Sequence, residues 1–98
     1  MNNAELAAIV IAARVRTAPM TRTEGGATVT VLSLWGRERD QIVDFALQRG
    51  HRRWRLDSIS DAHGTEMASR TLGRRLSARL TALHIQALAH FTDRPTSP

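Results

Sequence analysis

The chain contains no cysteine, no lysine and no tyrosine. Without cysteine it has no disulfide framework, no thiolate metal site and no thiol nucleophile. Without lysine, all 14 basic residues are arginine; set against nine acidic residues they leave a net charge of +5. A GC-rich genome produces the same arginine and alanine bias, so the lysine gap by itself carries no function. Long apolar runs are missing too. The longest, Leu6 to Ala13, has eight residues, against roughly 20 needed to span a bilayer. It follows Glu5 and has no basic flank, so neither a membrane segment nor a signal peptide is expected. The expected location is the cytoplasm.

What is present fits one small domain. At 98 residues the chain matches the usual size of a single domain, expected over residues 1–91 with a disordered tail over 92–98. The apolar fraction of 42% includes 14 alanines, so larger apolar side chains suffice for one compact layer pair. A chain this short buries roughly 60–70% of its unfolded surface, which leaves room for a dimer or a partner that completes the core.

Residues 7–16 place Ile9, Ile11, Ala13 and Val15 opposite Val10, Ala12, Arg14 and Arg16. That alternation, with three successive β-branched residues, predicts a strand; a helix capped by Asn3 is the rival. Residues 18–26 form a polar loop between Pro19 and Gly25-Gly26. Residues 27–35 alternate Thr28 and Thr30 with Val29 and Val31 and predict the second strand of a hairpin. After Gly36, acids at 38 and 40, Arg49 at the far end and the Ile42, Phe45, Ala46 spacing predict a helix that Gly50 terminates. Residues 51–60 predict a strand with a bulge that absorbs the out-of-phase Ile59. Thr65 caps a final helix over 66–91. Its apolar stripe is Leu72, Leu76, Leu80, Leu83, Ala87 and Phe91, with Gly73 as a kink. The fold class is therefore α+β, in the order β-β-α-β-α: an antiparallel hairpin plus a third strand, with both helices on one face. A 26-residue helix would be about 39 Å long, so part of the stripe overhangs. That allows a homodimer through Leu80, Leu83, Ala87 and Phe91.

The charge is concentrated. Arg49, Arg52, Arg53 and Arg55 form one acid-free run around Trp54, and Arg70, Arg74, Arg75 and Arg79 form another. Eight positive charges in two runs exceed the net of +5, so the remainder of the chain is slightly acidic. Arginine's planar fork binds phosphate or carboxylate bidentately. Guanidinium groups beside an aromatic ring suit a single-stranded nucleic-acid surface. The bland reading puts Trp54 in the core and the arginines on a solvated rim. The functional reading is a non-enzymatic binding module, first for nucleic acid. The alternative is an inhibitor or adaptor of phage or plasmid accessory type, docked on an acidic or nucleic-acid-binding protein surface.

The spacing Ala46, Gly50, Leu56, Ile59 resembles a helix-turn-helix over about 20 residues. The resemblance implies a recognition helix with arginines at its start. Arg49 and His51 depart from it, occupying positions the motif fills with apolar residues. Enzyme chemistry finds less support. Met67 stands where the inverted zinc motif beginning at His63 and Glu66 needs histidine. His84 and His90 are six apart and lie on different helix faces. Asp57, Asp61 and His63 make an ordinary polar turn, and Gly25-Gly26 lacks the helix and lysine of a phosphate loop. No cofactor and no metal are expected.

Overall fold

A computed structural model describes residues 1–92. The elements in chain order are α1 (Asn3–Ala12), β1 (Met20–Glu24), β2 (Ala27–Trp35), β3 (Ile42–Gln48), β4 (Arg55–Asp61), β5 (Gly64–Thr71) and α2 (Arg74–Thr92). The strands form one five-stranded sheet in the order β1-β2-β3-β4-β5, every neighbouring pair antiparallel. Residues of both helices share one core cluster with Leu32, Leu34, Val43, Phe45 and Leu56, so both helices cover the same sheet face. The α+β class holds; two helices do share one face, but the first of them is α1 and not the helix read after Gly36. The β-β-α-β-α order does not hold, because a helix comes first and no crossover joins parallel strands. The expected tail lies, from residue 93 onward, outside the described residues, and Thr92 still belongs to α2.

Helix α1 replaces the strand read at 7–16. Asn2, rather than Asn3, is its N-cap, and the Asn2 side chain accepts a hydrogen bond from the Glu5 amide at 2.9 Å. Leu6, Ile9 and Val10 lie on one face and are fully buried. β-Branching costs only tenths of a kcal/mol per residue in a helix, far less than the ~1.5–3 kcal/mol from burying each such side chain. The helix ends at Ala13 in the left-handed region (φ 55°). The alternation survives just beyond it: Val15 bridges Leu34 and packs toward the core, while Arg14 and Arg16 are exposed.

The supposed loop at 18–26 contains β1. Gly25 and Gly26 both have positive φ, 56° and 82°, the requirement of a two-residue hairpin turn whose twist matches the strands. Residues 42–48 are strand, not helix. Val43, Phe45 and Leu47 face the helices at period two, while Ile42, Asp44, Ala46 and Gln48 lie on the other face. Residues 64–71 are strand as well, paired with β4 through a two-residue turn at 62–63, in which Asp61 accepts from the His63 amide at 2.8 Å. Gly73 consequently lies just ahead of α2, where its carbonyl accepts the Ser77 amide at 3.0 Å. Strand β4 carries the expected irregularity. The register shifts between Leu56 and Ser58, and Asp57 and Ser58 both turn away from the helices.

The stripe on α2 is interior. Leu80, Leu83 and Ala87 are 0–4% exposed, and Phe91 packs against the same cluster. At 19 residues, about 28 Å, α2 is short enough for the sheet to cover. Leu80, Leu83 and Ala87 are therefore inside one chain and not available to a partner, while Phe91 is partly buried. No helix among the described residues is long and apolar enough to cross a membrane.

Candidate functional site

Trp54 brings the two arginine runs together. Its backbone amide donates to Ser77 Oγ at 3.0 Å, its carbonyl accepts the Leu72 amide at 2.8 Å, and its indole Nε1 donates to Thr81 Oγ1 at 3.0 Å. The ring is fully buried and meets His84 edge-on at 5.9 Å. Three bonds thus fasten the loop before β4 to the start and second turn of α2. They also place the ring in the core, where it offers no face to a nucleic-acid base.

That fastening sets Arg52 and Arg53, from the β3–β4 loop, beside Arg74 of α2 around a cleft of about 520 Å³. A second cleft of about 430 Å³ shares Arg52 and Arg53 and is lined as well by His51, Arg55, Thr71 and the open-face residues Ala46 and Gln48. A third, about 760 Å³, shares Arg74 and Thr71 and adds Arg70 and Arg75. The three clefts are neighbours that share Arg52, Arg53, Thr71 and Arg74 as walls. Arg49 precedes Gly50 in the same loop, and Arg79 follows Arg75 by one turn of α2. All seven of these arginines are exposed, and none forms an ion pair among the described residues.

Their setting is electrostatically unfavourable in the absence of an anion. Arg74 and Arg75 sit in the first turn of α2, which contains no acid. A helix N-terminus carries about half a positive charge, and a misplaced cation there costs ~0.3–1 kcal/mol. Repulsion among Arg52, Arg53 and Arg74 adds to this. A phosphate or carboxylate bound among these arginines would relieve both.

Arg55, grouped with these residues in the sequence, lines the second cleft with Arg52 and Arg53 but is held in ion pairs. On the sheet face away from the helices, its Nη2 lies 3.0 Å from Glu24 and 3.6 Å from Asp57. Arg22 reaches across from β1 and donates to both Asp57 oxygens, at 3.0 and 2.9 Å, and to Glu24 at 2.9 Å. The Arg22 guanidinium is held above its usual pKa, first by the hydrogen bond to Asp57, then by that to Glu24. This neutral quartet lies on the same face as the small apolar group Val29, Val31 and Ala46. Sequence reading missed it because Arg22 and Asp57 are 35 positions apart. The only local signal was the bulge, which aims Asp57 at that face.

The helix-turn-helix spacing corresponds to no such motif, since Ala46, Leu56 and Ile59 are on strands. Gly50 does adopt positive φ, 88°, but in a loop between strands. Among the described residues no three His, Asp or Glu side chains converge as metal ligands. His63 and Asp61 are at an exposed turn, and Asp57 is bound to Arg22. No protein-family model matches the chain, and comparison with curated proteins and with solved structures returns no match.

Proposed function

We propose that the protein is a non-enzymatic, cytoplasmic polyanion-binding module whose ligand is nucleic acid, gripped through its phosphates. The observation that carries this reading is the convergence of Arg52, Arg53 and Arg74 around one cleft, with Arg75 lining the neighbouring cleft that shares Arg74, none of them with a carboxylate partner among the described residues. Arg70, on β5, lines the cleft that holds Arg74 and Arg75, and Arg49 and Arg79 are exposed close by in sequence. Because Trp54 is buried, the grip lacks a stacking platform. Phosphate contacts position a protein without reading sequence, so binding is tolerant of sequence and strongly salt-dependent.

The test is fluorescence anisotropy with a labelled random-sequence DNA duplex, and with the matching single strand, across a salt series. Four phosphate contacts predict a log–log slope of about −3.6 on duplex, at ~0.9 per contact. Arg74→Glu with Arg75→Glu weakens binding uniformly across sequences and lowers the slope by about 2. Absence of binding at about 50 mM salt, or a slope unchanged in the double variant, overturns the proposal. In that case the same forks point to carboxylates on an acidic protein surface.

A further inference from the structure

Among the described residues both edges of the sheet are unpaired, and they differ in kind. β1 has five residues and follows Pro19. β5 has eight residues, no proline and no lysine, and is exposed along its length except at Ala68. Its pairing is to β4 alone. A long exposed edge with neither proline nor lysine is a template for another strand, its one irregularity being the register shift against β4 between Met67 and Arg70.

The composition of β5 selects the partner. The strand holds one acid, Glu66, and one base, Arg70, both exposed and without an ion pair among the described residues. Four residues apart in a strand, they are separated by about 13 Å, too far to meet within one chain. Antiparallel pairing of β5 with a second copy, centred on Ala68, puts Glu66 opposite Arg70 of the other copy, twice. It also pairs Thr65 with Thr71, Met67 with Ser69, and Ala68 with itself. Glu66, Ala68 and Arg70 share the face that the helices cover, since Ala68 packs on the core. Met67, with 70% of its surface exposed, gains a neighbour on the other face. Centring on Met67 or Ser69 would leave both charges unmatched. The same operation on β1, centred on its middle residue, sets Arg22 against Arg22. Cross-strand charge pairs decide between such registers.

We propose that the protein self-associates as a two-fold dimer through β5, in the register centred on Ala68. The product is a continuous ten-stranded antiparallel sheet with four helices on one face. The proposal does not rest on nucleic-acid binding, and its tests require no nucleic acid.

Sedimentation equilibrium of the full chain over a wide concentration range gives the first result: a reversible monomer–dimer equilibrium. Glu66→Arg and Arg70→Glu each weaken self-association about tenfold or more, with the circular dichroism spectrum unchanged. Mixed together, the two single variants associate with each other, because one carries two bases on β5 and the other two acids. Exchanging both residues in one chain restores the dimer. Because the natural chain has no cysteine, Ala68→Cys introduces a unique thiol that crosslinks to its own copy on mild oxidation. A monomer at all concentrations, a dimer indifferent to both charge reversals, or single variants that fail to associate on mixing overturns the proposal.

Discussion

Replacing Leu80 by alanine tests whether the stripe of α2 is interior or intermolecular. Leu80 is fully buried, and its neighbours include Leu83 and Ala87 on the same helix and the sheet residues of the core. Truncating a leucine in such a site loses transfer free energy and leaves a cavity, together about 2.7–5.0 kcal/mol in well-packed cores. Ile85, five positions later on α2, has 62% of its surface exposed. Its truncation should change stability by no more than ~0.5 kcal/mol. For a chain of this size ~1 kcal/mol moves the melting temperature by about 4–8 °C. Leu80→Ala should therefore melt at least about 11 °C lower, and Ile85→Ala within a few degrees of the parent. Urea unfolding followed by circular dichroism at two protein concentrations gives the free-energy differences directly. The Leu80→Ala loss should be the same at both concentrations, since it arises within one chain. A loss of under ~1 kcal/mol, or one confined to high concentration, would refute the interior placement of the stripe.

Asp57→Ala removes the acceptor of two Arg22 hydrogen bonds in a nearly buried position, with its side chain 7% exposed. Bonds to charged groups are worth ~1.5–3 kcal/mol, so a loss of about 2 kcal/mol is expected in thermal melts. Glu24→Ala, at a side chain 51% exposed, should cost less than ~1 kcal/mol, and 1 M salt should abolish its effect. His84 has its pKa lowered by burial. The folded state thus favours the neutral ring, and stability is full above the unfolded value of 6.5. It falls as acidification passes from there through the folded pKa. His84→Leu should flatten that limb of a stability–pH curve, and an unchanged limb would assign it to another group.

The parts of this fold that sequence reading located are those where one face decides. The α2 stripe stands out because Leu76, Leu80, Leu83 and Ala87 repeat at helical spacing over a polar background. β2 stands out because threonine alternates with valine, and β4 because Ile59 out of phase demands a bulge. The errors arise where local preference and tertiary pairing disagree. In residues 42–48 the triple Ile42, Phe45, Ala46 fits a helix, while Val43, Phe45, Leu47 fits a strand equally well; pairing on both sides by β2 and β4 settles it. β5 is rich in helix formers and becomes a strand because the turn after Asp61 returns it along β4. β1 is polar on both faces, so no periodicity marks it, and only the Gly25-Gly26 turn does. The arginine runs were visible as runs. Their convergence was not, since it depends on hydrogen bonds between Trp54 and residues 23 and 27 positions later.

The quartet of Arg22, Glu24, Arg55 and Asp57 also governs how the molecule is sensed from a distance. Its charges cancel, so it projects little field, while Arg52, Arg53, Arg74 and Arg75 have no ion-pair partner among the described residues. Physiological salt screens beyond roughly 8 Å, and the molecule measures 45 Å along its longest axis. An approaching polyanion therefore senses one local pole before it senses the rest of the surface. Such asymmetry orients an encounter before contact and raises the association rate more than it prolongs the complex. By neutralising Arg55, which the sequence groups with the pole, the quartet would narrow the angle from which the proposed polyanionic partner is drawn in.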